Sequence, residues 1–198
     1  MSTSIISVHS SDAESFRFAD WLSGFVDGEG YFMLQKLKKC GVARFGMTLR
    51  SDDHKIMETI RDFFGCGKIR KHSGDGKFVN SKPQLSYTIE HLHHLVRYVI
   101  PLFDKHPLRA KKARDFAIWR EAVLFLHSVR TRKARYGNGA RRGMYPKWTV
   151  QDMQEFVQYH DALRDVSKYT EPDSESASKV WKRHHKKMKR INGFGFGD

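Results

Sequence analysis

The sequence predicts an α+β fold with an antiparallel sheet, and three observations carry that expectation. Apolar residues recur at helical spacing in several segments; between these lie paired stretches of period-two alternation; and the pairs are close enough in sequence to form hairpins. The resulting order is helix, hairpin, helix, hairpin, helix, helix.

Each element has a local reason. Residues 1–10 read as a loose leader, and Ser11 and Glu14 have capping-box spacing. Phe18, Trp21, Leu22, Phe25 and Val26 then follow a helical period until Gly28 and Gly30 end it. In "YFMLQKLKK", Phe32 and Leu34 share one face and Met33 and Gln35 the other. After the "KKCG" turn, Phe45, Met47 and Leu49 alternate with Arg44, Gly46 and Thr48, which closes the first hairpin. "SDDHKIMETIRDFFGCG" predicts a helix capped by Ser51 or Asp52, buried along Ile56, Met57, Ile60, Phe63 and Phe64, and stopped by Gly65. "KIRKH" and "QLSYTIE" form a second hairpin around "SGDG", with Leu85, Tyr87 and Ile89 on one side. "HLHHLVRYVIPLF" predicts a short helix ending near Pro101, and Leu108 to Val129 a longer one that buries Phe116, Trp119, Val123 and Leu126.

These elements make residues 11–130 one core unit. Residues 131–148 form a basic loop; the segment from Arg130 to Trp148 carries seven Lys or Arg around three glycines. Residues 149–169 form a C-terminal helix with Val150, Met153, Phe156, Val157 and Leu163 at helical spacing, and 170–198 a polar linker and basic tail.

Composition narrows the function. A net charge of +14 and a pI near 9.9 favour polyanionic partners, nucleic acid before acidic membrane surfaces. No apolar run approaches the roughly 20 residues that span a bilayer, so no membrane-spanning segment is expected, and nucleic acid rather than a membrane is the expected partner. The N-terminus lacks the pattern of a secretory signal. Cys40 and Cys66 are isolated, which argues against zinc ribbons and disulfide frameworks and for an intracellular, reducing setting. An organelle and a bacterial or archaeal cytoplasm both satisfy that expectation. The 11 histidines include "HLHH" (His91, His93, His94), but no cysteines accompany them, so surface or capping roles are expected rather than a zinc site. The basic tail reads as a nucleic-acid arm, or else as a solubilising and targeting run.

"WLSGFVDGEGYF" places Asp27 and Glu29 where an apolar helix runs out. Helix C-termini carry partial negative charge, so acids there are locally unfavourable. Ala19 and Ser23, and Gly24 and Gly28, are small residues four apart that allow a second helix to approach closely. If that helix belongs to a second copy, two sets of acids meet, and a hard cation such as Mg²⁺ would neutralise them.

"LSGFVDGEG", Leu22 to Gly30, resembles the signature of the LAGLIDADG homing endonucleases. "FGMTLRSDDHKIMETIRDFFGCGKI" is similar to the family's second strand, helix and GxG turn, and "HPLRAKKARDFAIW" to its "PL" helix start. The matches span roughly Trp21 to Val129. The resemblance implies the family's αββαββα fold, a saddle-shaped antiparallel sheet with its helices on one face. It implies a site-specific double-strand DNA endonuclease that hydrolyses phosphodiesters with a divalent metal and leaves short 3′ overhangs. Mg²⁺ is the implied cofactor, with Mn²⁺ or Ca²⁺ as substitutes.

Carried over position by position, the resemblance makes Glu29 the metal ligand, with the carbonyl of Gly28 facing the same ion. Asp27 is then a group that shapes the helix end, or one that supports the ligand from behind. Lys112 matches the family's basic residue near the scissile phosphate, with Lys111 the close alternative. The family's water-positioning Gln falls here at Leu49, and Arg50 beside it is the substitute. One motif copy implies a homodimer on a pseudo-palindromic site, with Trp21, Ser23, Gly24 and Asp27 at the contact between chains. The implied saddle lies in the DNA major groove. Alternation selects as its reading face Tyr31, Met33, Gln35, Leu37, Arg44, Gly46, Thr48, Lys68, Arg70, His72, Gln84, Ser86 and Thr88. Arg70 suits guanine and Gln35 adenine. The alternative function is an intron maturase or a non-cleaving DNA- or RNA-binding protein on the same fold.

Overall fold

The computed structural model describes residues 12–72, 82–135 and 148–167. The leader, Ser11, the "SGDG" turn, most of the basic loop and the tail lie outside the described residues. Helix α1 runs Asp12–Glu29 and feeds directly into strand β1, Gly30–Lys36, which pairs with β2, Gly41–Arg50. A 3-10 turn at Ser51–Asp53 leads into α2, His54–Phe64, which stops on Gly65 in the left-handed conformation (φ 63°). Strands β3, Lys68–His72, and β4, Gln84–Ile89, make the second hairpin. The sheet order is β1-β2-β4-β3, so two antiparallel hairpins join along β2 and β4.

α2 carries no side-chain cap at its N-terminus; Asp52, expected to cap it, is instead bound by Arg50. Phe63, expected in the core, is displaced to the surface, where its ring meets Phe18 at 4.9 Å. Met57, Ile60 and Phe64 alone supply that helix's fully buried stripe.

The next helix does not end near Pro101. Helix α3 (Leu92–His94), a π turn (Leu95–Val99) and α4 (Ile100–Lys105) follow one another without a break. Proline lacks a backbone N–H and crowds the turn before it. Here it sits in the first turn of α4, directly after backbone already widened to the π form, so the helix passes it. Helix α5 begins at Lys112 rather than Leu108 and continues to Arg135, into the stretch expected to be loop. Helix α6, Val150–Ser167, opens on a capping box: Asp152 N–H donates to Thr149 Oγ1 at 3.0 Å, and Thr149 N–H to the Asp152 carboxylate at 2.9 Å. Its buried stripe is Asp152, Phe156, Tyr159 and Leu163, which leaves Val150 off the stripe and 76% exposed.

The core lies between the inner sheet face and these helices. Phe32 meets Trp119 at 5.1 Å, Phe45 at 5.5 Å and Phe116 at 5.4 Å, and Phe45 meets Phe103 at 5.6 Å. Trp119, Tyr87, Phe45 and Phe103 are fully buried. Tyr87 donates its hydroxyl to the Cys66 carbonyl at 2.7 Å, and burial holds that phenol far above its ordinary pKa. Among the described residues no helix is long and apolar enough to cross a membrane.

Gly46, at the centre of β2, has no room for a side chain. A Cβ there would lie 2.4 Å from the Tyr87 carbonyl oxygen and 2.6 Å from the Tyr31 hydroxyl. Gly46→Ala is therefore expected to destabilise the fold by about 1–3 kcal/mol, the usual cost of overpacking, read as a lowered urea midpoint with an unchanged slope.

Candidate functional site

The sheet's register assembles the outer-face residues into rows across all four strands. Tyr31 faces Gly46, Gly46 faces Thr88, and Thr88 faces Lys68. One row towards the end of β2, Thr48 faces Ser86 and Ser86 faces Arg70; beyond it Arg50, Gln84 and His72 align. Towards the other end Met33 faces Arg44. Lys68, Arg70, His72, Gln35 and Gln84 are exposed, so this face is polar and basic. Among the described residues, helices cover the opposite face, where Phe32, Phe45, Met47, Leu85, Tyr87 and Ile89 are buried.

Within that face the side chains are not equally available. The Tyr31 hydroxyl and ring carbons cover Gly46, so Gly46 is buried rather than open to a ligand. Burial also raises the Tyr31 phenol above its ordinary pKa. Ser86 is buried and shares a 2.7 Å hydrogen bond with His72 Nε2. Arg44 Nε lies 3.0 Å from Glu90 Oε1, a close ion pair whose N–H is not aligned for a hydrogen bond. Leu37 is off the strand: β1 ends at Lys36, and Leu37 turns the chain by donating its N–H to Cys40 O at 2.9 Å.

Asp27 and Glu29 part company at the end of α1. Glu29, the last helical residue, is exposed immediately before Gly30, which opens β1 opposite Met47 of β2. Asp27 turns towards the chain's own core side: its Oδ2 accepts N–H bonds from Arg109 at 2.8 Å and Ala110 at 3.1 Å, just before α5. An acid that is unfavourable at its own helix's C-terminus here serves the unpaired amides that lead into another helix. Its Oδ1 is buried without a hydrogen-bond partner among the described residues. Asp27, expected between two chains, thus has its partners within one.

Ser23 likewise has its hydrogen-bond partners within one chain. It is 5% exposed and donates its hydroxyl to His106 O at 2.8 Å, sharing it with Ala19 O at 3.2 Å, so it faces inward. The small residues of α1 therefore divide. Ala19 and Ser23 are buried, whereas Gly24 and Gly28 are exposed, with nothing among the described residues within 4 Å of an added Cβ. Beside the two glycines Trp21 is 42% exposed and stacks on Phe25 at 4.9 Å.

The two lysines at the head of α5 are distinguished by their partners. Lys111 Nζ donates to the Ser167 carbonyl at the end of α6 at 2.8 Å. Lys112 Nζ lies 3.7 Å from Asp115 Oδ2 one turn on, and Asp115 is buried. Burial raises the Asp115 carboxyl above its ordinary pKa, with Lys112, Lys111 and the Ser167 hydroxyl pulling the other way. Arg50 forks onto Asp52 through Nε and Nη2, and that hydrogen bonding holds the Asp52 carboxyl below its ordinary pKa. Sequence reasoning missed His106 altogether, because its contacts with Asp20 and Ser23 join residues more than 80 positions apart.

A family model described as LAGLIDADG endonuclease matches residues 22–123. A "Probable intron-encoded endonuclease Cox1-I1b" of Schizosaccharomyces pombe is 30% identical over 125 residues, covering 61% of this chain; the chain spans only 30% of that relative's length. The fold is similar to that of the LAGLIDADG homing endonuclease I-GzeII in complex with its DNA target (TM-score 0.59, 21% identity, 76% of this chain and 45% of that one). It is also similar to the homing endonuclease I-TnaI (TM-score 0.55, 21% identity, 86% of this chain and 97% of that one).

Asp115 generates a pH prediction. A carboxyl whose folded-state pKa is raised contributes stability that is complete below the ordinary carboxylate range and is lost as pH rises through the raised value. Asp115→Asn removes that loss. The difference in urea midpoint between variant and wild type should therefore grow in the variant's favour from acid pH towards neutrality.

Proposed function

The chain belongs to the LAGLIDADG endonuclease family, and on that premise we propose that it is a site-specific double-strand DNA endonuclease acting as a homodimer. One observation carries the reading: the helix that displays an exposed Glu29 ends at the head of a polar, basic sheet face that no helix among the described residues covers. A four-stranded surface of that kind suits the major groove, where Arg70 and Gln35 would read base edges and Lys68 would meet phosphate.

The donor set fits a hard divalent cation. Glu29 offers an exposed carboxylate and Gly28 a carbonyl beside it, both oxygen donors of the kind Mg²⁺ takes, with Mn²⁺ or Ca²⁺ as substitutes. Asp27 is committed to amides of its own chain, so the second carboxylate would come from the Glu29 of a second copy. When bound, the ion would activate water and neutralise charge on the leaving phosphate oxygen. Lys112 would stabilise the anionic phosphate, oriented by Asp115. Arg50 is a weaker candidate for positioning water, since two of its donors are used by Asp52.

The exposed Trp21, Gly24 and Gly28 form the face on which a second α1 would pack. On this reading the motif copy from Leu22 to Gly30 works beside that of a second chain. Two copies would read a pseudo-palindrome and cut each strand once, leaving 3′ overhangs. An intracellular setting, for a gene carried by an intron, follows from the same reading.

Selection of targets from a randomised duplex library with purified protein and Mg²⁺ tests this. Cut products with 3′ overhangs at a pseudo-palindromic site are expected; tight binding without cutting would leave a binding protein instead. Glu29→Gln should lower single-turnover cleavage by about 1,000-fold, as for a group supplying about 4 kcal/mol to the transition state, while leaving affinity for the selected duplex intact or higher. Gly24→Ala and Gly28→Ala should each stabilise the monomer by up to about 1 kcal/mol, because alanine outranks glycine in a helix. Both should weaken self-association in sedimentation equilibrium.

A further inference from the structure

Phe16, Asp20, Ser23 and Asp27 are spaced i, i+4, i+7 and i+11 along α1, and all four touch the connection between α4 and α5. His106 is the hub of these contacts. Its ring meets Phe16 at 4.7 Å, edge to face, and its Nδ1 lies 2.6 Å from Asp20 Oδ1. Its carbonyl accepts the Ser23 hydroxyl at 2.8 Å, and its own N–H donates to Leu102 O at 2.8 Å, tying it to the end of α4. The imidazole is 5% exposed, whereas Asp20 is 58% exposed, so the latch is pinned from the inside and reachable from the outside.

The far end of the same face is Asp27, which holds the amides of Arg109 and Ala110. Two residues beyond Asp27 lies Glu29, and two beyond Ala110 lies Lys112. One continuous strip of contacts therefore fixes the segment leading into the lysines against the helix that ends at the acid. We propose that His106 is a positioning residue for phosphodiester cleavage: it sets the register of residues 106–111 on α1, and so the placement of Lys112 relative to Glu29. This inference rests on the endonuclease reading above. His106 touches no reacting group; it acts through Asp20, through Ser23 and through the segment that Asp27 caps.

The test uses the full chain, the selected duplex and Mg²⁺, with His106→Ala, His106→Gln and Asp20→Asn. A misplacement of about 1 Å at a reacting group can cost on the order of 100-fold in rate. His106→Ala should accordingly slow single-turnover cleavage by about 10- to 100-fold, with duplex affinity within about twofold of wild type. Hydrogen exchange at the Arg109 and Ala110 amides should accelerate in the same variant. His106→Gln, whose amide can still donate to Asp20, should recover most of both effects. Asp20→Asn alters the latch from its exposed side, so it reports even if His106→Ala folds poorly; it should lower the rate in the same direction. The inference is overturned if Asp20→Asn and the folded His106 variants cut at the wild-type rate, or if any loss merely tracks affinity or the unfolded fraction. A wild-type chain that binds but does not cut instead overturns the endonuclease reading, and the role of His106 with it.

Discussion

The bond from the Asp27 carboxylate to the amides of Arg109 and Ala110 is the constraint on which the arrangement of this site depends. It joins the C-terminal turn of the first helix to the entry of the fifth across more than 80 residues of chain. Electrostatically it reverses an unfavourable local choice: the acid opposes the carbonyls of its own helix and complements the amide donors of another. Charge-assisted hydrogen bonds of this kind are the stronger class. Because α1 continues without a linker into β1, the bond also orients the sheet's first strand relative to α5.

α1 thereby serves three directions at once. Leu22 and Val26 enter the core with no exposure; Phe16, Asp20, Ser23 and Asp27 face the α4–α5 connection; and Trp21, Gly24 and Gly28 remain open. A helix used on so many sides has little freedom to vary. This explains why it mixes glycines, a serine and acids with large aromatics rather than following a simple amphipathic pattern. Gly30 belongs to the same economy of space, since a Cβ there would come within 2.5 Å of the Val26 side chain and 2.8 Å of its carbonyl.

Much of the fold was legible because periodicity is local. The alternation of Phe45, Met47 and Leu49 with Arg44, Gly46 and Thr48 separates a buried row from an outer one, and the structure keeps that separation. The unequal status of Asp27 and Glu29 was also readable from the motif, whereas Asp27's partners were not. Errors arose where a second element intervened. Tyr31 covers Gly46, the π turn carries a helix through Pro101, and Arg50 takes Asp52 away from the helix it was expected to cap. Ser23 looked like half of an open small-residue stripe until the His106 carbonyl filled the space above it.

By itself, the sequence determined which segments are helical, the two hairpins, and the outward and inward faces of their strands. Hydrophobic period, turn residues and motif spacing are properties of neighbours along the chain, so they need no fold to be read. Only the tertiary structure decided that β2 joins β4, that Arg50, Gln84 and His72 share a row, and that His106 and Asp20 meet. Those contacts depend on loop closure and side-chain packing between segments far apart in sequence, and no local preference encodes them. The same reason separates Lys111, tied to the end of α6, from Lys112 on Asp115, two adjacent lysines whose difference lies wholly in what the fold brings beside them.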